Sequence, residues 1–219
     1  MRKLFLTSSA FNMMDKIAPM FGKPAQGLKI AFIPTAGDPY GDDKPWMDAD
    51  RQKLVDLGFD VFDFDLKEKN EEEVNTALLK ADIIFVAGGN TFYLLDKVRK
   101  SGFDKVCKKL VNEGKIYIGS SAGSYLACPT IEAASWKNAD KNIVNLTDLT
   151  ALNLVNFLII AHFEEKYRQV VIDGAKTTSL PIVAINDNQM IVVEADKVNL
   201  VGTGPKEFFN GFKENCEKK

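Results

Sequence analysis

Strand-length apolar runs without alternation recur along this chain, and segments with helical patterning separate them. Ile83-Ile84-Phe85-Val86-Ala87 is the clearest, leaving no polar side for solvent. A strand of that kind must be covered on both faces, as it is in a parallel sheet packed between helices. Strands are expected over 3–6, 28–33, 59–64, 82–86, 116–118, 157–161, 182–185, 190–193 and 198–201. Helix signals lie between them. Asp43 is a candidate N-cap ahead of Pro45, for a run that ends at Leu57 with Gly58 as its stop. Asn70 precedes Glu71, Glu72 and Glu73, carboxylates that favour the positive end of a helix dipole. The run 103–113 stops at Gly114, and another helix is expected to begin near Phe92. This succession predicts an α/β fold: a single doubly wound, mostly parallel sheet flanked by helices, with a C-terminal β-hairpin. No repeat or interdomain linker interrupts the 219 residues, so one α/β domain over 1–219 is expected.

Charge and composition exclude several classes of function. Lys and Arg number 28 against 30 Asp and Glu, a net charge of -2 that offers no basic excess for nucleic acid or an anionic membrane. A single histidine denies any multi-histidine metal site, and Cys107, Cys128 and Cys216 are spaced too widely for paired zinc ligands. No metal or organic cofactor is expected. The apolar run Leu4-Phe5-Leu6 is far shorter than the roughly 7–15 residues of a signal-peptide core. Phe157-Leu158-Ile159-Ile160-Ala161 is strand-length, where a membrane-spanning helix needs about 20 residues. A soluble, cytoplasmic protein with reduced thiols is the expectation, as monomer or homodimer.

The most informative segment is Ile116-Tyr117-Ile118 running into Gly119-Ser120-Ser121-Ala122-Gly123. Gly-x-Ser-x-Gly after an apolar strand is the pattern of a nucleophile elbow, in which small flanking residues let the middle Ser project from a tight strand-to-helix turn. Ser121 is then the candidate nucleophile, and the N–H of Ala122 can face an oxyanion. An ordinary Gly/Ser turn shares this spelling, so the partners matter. A serine hydroxyl needs a base. His162, at the end of the run 157–161, is the one imidazole available. The base in turn needs a carboxylate to hold its tautomer. Glu132, Asp140 and Asp148 have no apolar strand leading into them, whereas Asp187 follows the run 182–185 and is preferred. Glu194 and Asp196 are alternatives. Gly88-Gly89-Asn90-Thr91 follows another strand and can supply the rest of an oxyanion hole, or contacts to substrate.

With those residues identified, the chain resembles the dipeptidase E family of serine peptidases, also called aspartyl dipeptidases. The resemblance is carried by Phe85-Val86-Ala87-Gly88-Gly89-Asn90-Thr91-Phe92, by Tyr117-Ile118-Gly119-Ser120-Ser121-Ala122-Gly123-Ser124 with Ala127-Cys128-Pro129-Thr130-Ile131, and by Ala161-His162-Phe163. It implies a fold like that of the class I glutamine amidotransferases (flavodoxin-like). It also implies a Ser nucleophile at Ser121, a base at His162 and hydrolysis of small peptides through an acyl-enzyme. Two departures stand out. The characterised aspartyl enzymes carry Glu at the third triad position, where this chain has Asp187. The segment from His162 to Asp187 is also shorter than theirs, and it is there that an Arg reads the substrate's aspartate. Lys166, Arg168 and Lys176 are the local cations that could serve. Tyr40, Trp46, Trp136 and Phe163 are candidate pocket aromatics. Two other readings use the same residues: a cyanophycinase-like or other amide hydrolase, and a non-enzymatic anion-binding module.

Overall fold

A computed structural model describes residues 2–137 and 140–214 of the chain. Cys216 lies outside the described residues. Five parallel strands build the centre: β1 (Lys3–Thr7), β2 (Lys29–Ile33), β3 (Asp60–Asp63), β4 (Ile83–Val86) and β5 (Ile116–Ser120). The antiparallel hairpin of β8 (Gln189–Glu194) and β9 (Lys197–Gly202) extends them, giving the order β3-β2-β4-β5-β1-β8-β9.

The unbroken apolar runs have the expected cause. Along β1, β2 and β4, Phe5, Ile30, Phe32, Ile83 and Phe85 pack on one face, whereas Leu4, Leu6, Ala31, Ile33, Ile84 and Val86 pack on the other. Helices α1 (Ala10–Ile17) and α2 (Pro45–Asp56) cover the first face through Met13, Met14, Ile17, Met47 and Leu54. On the second face lie α3 (Glu71–Leu79), α4 (Thr91–Ser101), α5 (Phe103–Asn112) and α6 (Ala122–Ala127). Each fully buried Phe here contributes about 1.5–3 kcal/mol relative to an exposed one. Cys107 and Cys128 are buried thiols in this core, and burial pushes both upward in pKa. Among the described residues, no helix is long and apolar enough to cross a membrane.

Local signals act as read in most places. Asn70 and Glu73 form a reciprocal capping box on α3, and Gly58 and Gly114 sit at positive φ just past α2 and α5. Asp43 does not cap α2. The cap position falls on Lys44, whose side chain has no acceptor to offer, and the Met47 and Asp48 N–H groups donate to the Lys44 carbonyl instead (2.9 and 3.1 Å).

One expectation needs correction. The strands expected over 157–161 and 182–185 do not join a single sheet. β6 (Leu158–Ile160) and β7 (Ile182–Ala184) run parallel to each other, and with the antiparallel β10 (Glu207–Phe209) they form a separate three-stranded sheet. The reason lies in β1, whose two edges are taken by β5 and by the hairpin strand β8. β10 itself is three residues long, too short for a periodic signal.

Candidate active site

Parallel pairing brings three chain reversals to one edge of the main sheet. Thr7 of β1 is in register with Ser120, and Val86 of β4 with Gly119, so Ser8, Gly88 and Ser121 emerge side by side. Ser121 has φ 47 and ψ -104, a conformation that costs a non-glycine residue about 1–3 kcal/mol. The surrounding contacts impose it. The Ser121 N–H donates to Thr7 O (3.0 Å), the Ser124 hydroxyl donates to Thr7 O (2.7 Å), and the Tyr117 hydroxyl donates to Gly123 O (2.7 Å). Both glycines of the motif are needed for close approach. A Cβ on Gly119 would lie 2.6 Å from the Gly123 carbonyl, and one on Gly123 would lie 2.1 Å from Val86 O.

The second sheet delivers the partners. β6 and β7 end together, and the ladder continues from Phe163 N to Ile185 O (3.0 Å), which sets His162 beside the turn 186–188. Asn186 shapes that turn by accepting the Asn188 N–H (2.8 Å), leaving Asp187 to project. His162 Nε2 lies 2.9 Å from Ser121 Oγ, and His162 Nδ1 lies 2.6 Å from Asp187 Oδ1. Hydrogen bonding from His162 holds the Asp187 carboxyl below its usual range, assisted by the Ser8 hydroxyl. The structure therefore brings Ser121, His162 and Asp187 into one connected chain, with the connectivity that can pass a proton from a serine to an imidazole oriented by a carboxylate. The other carboxylates that follow or precede His162 in the chain as candidates for the third position lie elsewhere. Glu194 pairs with Lys3 at the opposite end of β1, Asp196 sits in the hairpin turn, Asp140 binds Thr91 at the start of α4, and Asp148 pairs with Arg99.

A cavity of about 480 Å³ opens over Ser121 and His162 and is lined in part by Gly88, Gly89, Phe11, Tyr40 and Trp46. A Cβ at Gly88 would stand 3.3 Å from Ser121 Cβ, so any side chain there would crowd the hydroxyl. Ala122 opens α6, where its N–H has no intrahelical partner. Asn90 is absent from this lining. Its N–H donates to Ala36 O (2.8 Å), its side-chain amide donates to Lys141 O (3.0 Å), and its side-chain oxygen accepts the Tyr93 N–H (2.9 Å). It caps α4, and each of its polar groups already has a protein partner. Tyr40 and Trp46 meet edge to face at the cavity, whereas Trp136 packs over Gly174 and Phe163 is buried in the core.

Lys166, Arg168 and Lys176 also lie outside the cavity lining. Lys166 pairs with Glu164, Arg168 with Glu165 and Glu207, and Lys176 with Asp173. The sequence reading missed three other residues. Ser8 accepts the His162 N–H (2.7 Å) and donates to Asp187 Oδ1 (2.6 Å), fixing the imidazole loop against β1. Lys137 donates to the carbonyls of Ala161 and His162, and its own burial lowers its pKa to about 8. The third is Asp50, on α2. The polar pair Ser8-Ser9 directly after an apolar strand was a legible signal for the first; Lys137 and Asp50 had none.

Asp50 is 3% exposed, and burial raises its pKa from 3.8 to about 6 against the lowering effects of the Ser120 hydroxyl, the Phe11 N–H and His162. Between about pH 4 and 6 the folded chain holds a proton that the unfolded chain releases, so stability falls as pH rises through this window. At neutral pH the ionised group costs about 3 kcal/mol. Asp50→Asn is therefore expected to raise the melting temperature at pH 7.5, with the gain shrinking as pH falls to about 4. Thermal melts across that range check this, and a gain that does not change with pH would refute it.

Comparison with known proteins identifies the family. The family model for peptidase family S51 matches residues 4–201. An uncharacterized peptidase of Listeria monocytogenes is 34% identical over 203 residues, covering 90% of this chain and 97% of its own length. Peptidase E of Shigella flexneri is 28% identical over 218 residues, covering 92% of this chain and 89% of its own length. A Listeria monocytogenes crystal structure assigned as a peptidase E protein superposes with a TM-score of 0.82 at 31% identity, covering 93% of this chain and all of that one. A match spanning nearly every element from β1 to β9 shows that the chain belongs to peptidase family S51, a family of serine peptidases.

Proposed function

We propose that this peptidase hydrolyses dipeptides or other short peptides with Ser121 as nucleophile, His162 as general base and acid, and Asp187 as the acid that orients His162. The observation that supports this most is the continuous contact from Ser121 Oγ through both ring nitrogens of His162 to Asp187. As Oγ bonds to the scissile carbonyl carbon, its proton passes to His162 Nε2 and the carbonyl electron pair moves to oxygen. The N–H of Ala122, with that of Gly88 or Gly89, stabilises that oxyanion. Collapse breaks the C–N bond, and His162 returns the proton to the departing amine. Water then repeats the sequence on the acyl-enzyme and frees Ser121. The cavity volume lies within the range of small-ligand sites, about 300–1,000 Å³.

No Lys or Arg lines the described cavity, so a preference for N-terminal aspartate has no cation to support it. A panel of X-Ala dipeptides tests both points: turnover is expected without a selective advantage for Asp-Ala. A fluorophosphonate should label Ser121 in the native protein and fail to label the His162→Gln variant. Labelling that does not depend on His162, or no labelling at all, would refute the assignment.

A further inference from the structure

Asp50 has no part in the mechanism above, yet it is the one carboxylate among the described residues that line the cavity. Its position is unusual in three respects. It is almost wholly buried, its hydrogen-bond partners are the neutral Ser120 hydroxyl and Phe11 N–H, and no Lys or Arg pairs with it among the described residues. A buried carboxylate without a counter-ion is costly, and a cation delivered by a ligand removes that cost. The surroundings suit a cation in another way, because the rings of Tyr40 and Trp46 share the cavity.

A purely structural role is available, since the Phe11 N–H lies in the first turn of α1 and Asp50 caps it at 2.7 Å. Capping alone does not require a charge brought from α2. A neutral acceptor such as Asn would cap equally well, so capping leaves the charge itself unexplained. Asp50 also touches Ser120, the residue next to the nucleophile. That proximity selects among possible cations. The terminal nitrogen of a dipeptide is attached to the carbon adjoining the scissile carbonyl, so it must lie close to Ser121 whenever that carbonyl is attacked.

We propose that Asp50 is the residue that binds the terminal ammonium of the substrate's first residue, the group that a dipeptidase has to recognise. The proposal rests on Ser121 being the nucleophile. Three substrates separate the sources of positive charge: Leu-Ala offers the terminal ammonium, N-acetyl-Lys-Ala a side-chain ammonium, and N-acetyl-Leu-Ala neither. The native enzyme is expected to favour Leu-Ala strongly over both blocked peptides. In Asp50→Asn, which keeps an acceptor for Phe11, the ratio of kcat/KM for Leu-Ala over N-acetyl-Leu-Ala should fall about 10- to 100-fold, mainly through KM. Asp50→Glu retains the charge and should recover part of the ratio, which guards against a variant that merely misfolds. A ratio unchanged in Asp50→Asn, while fluorophosphonate still labels Ser121, would overturn the ammonium assignment alone. Absence of that labelling in the native protein would overturn the mechanism and this proposal together. Asp50-dependent cleavage of N-acetyl-Lys-Ala as fast as Leu-Ala would show that the carboxylate reads a side chain and would overturn the terminal assignment.

Discussion

Ser121→Ala is expected to lower kcat on a cleaved dipeptide by about 10⁴- to 10⁶-fold while leaving the fold in place. The substitution removes one hydroxyl whose named contact is His162 Nε2 at 2.9 Å. None of the bonds that hold the elbow use that oxygen, since they run through the Ser121 N–H, Ser124 and Tyr117. His162→Gln should cost about as much, and the double variant scarcely more, because groups that act as one unit lose their joint contribution when either is removed. Single-turnover kinetics on the three variants, with thermal melts as a control for folding, provide the check. Turnover within tenfold of the native rate in Ser121→Ala would eliminate Ser121 as nucleophile.

A large effect on stability is expected from Gly123→Ala. A Cβ there would sit 2.1 Å from the Val86 carbonyl oxygen, which belongs to the backbone of a central strand and cannot swing aside as a side chain can. Either α6 lifts away from β4 or the strand gives way. Overpacking of a well-filled interior costs about 1–3 kcal/mol and more where backbone is involved, so a loss of at least about 3 kcal/mol is expected in urea titrations. Any folded fraction should also be impaired, because a shift of about 1 Å at the elbow is enough to cost a hundredfold in rate. A native-like midpoint together with native-like turnover would refute the account of why this glycine is needed.

What the sequence revealed and what it hid divide along physical lines. Apolar runs covered on both faces, glycine stops and the Asn70 cap are local signals, and they placed the central strands and helices within a residue or two of where they lie. The elbow and its partners were legible for a similar reason: each stands directly after an apolar strand, where a parallel sheet gathers its functional groups. Pairing of strands is a different matter. Nothing in the composition of 157–161 or 182–185 says that the free edge of β1 is claimed by β8, so the separate second sheet could not be read. Asn90 looked like a ligand because glycines precede it, yet a side-chain amide before a helix is also what a cap requires, and the cap prevails. Asp50 was hidden by its setting on α2, where one more Asp among Asp48, Asp50 and Asp56 has no distinguishing pattern until burial singles it out.

Ser121 stands on one sheet while His162 and Asp187 stand on another, so under the proposed mechanism chemical competence is a property of their docking and not of either alone. A chain that has assembled only its central sheet during synthesis or refolding would carry an elbow with no base beside it, and so would be inert toward its neighbours. Recovery of turnover in a refolding experiment therefore reports the docking of the two sheets. Under the proposed mechanism, the capacity to cut arrives only once the two sheets have docked.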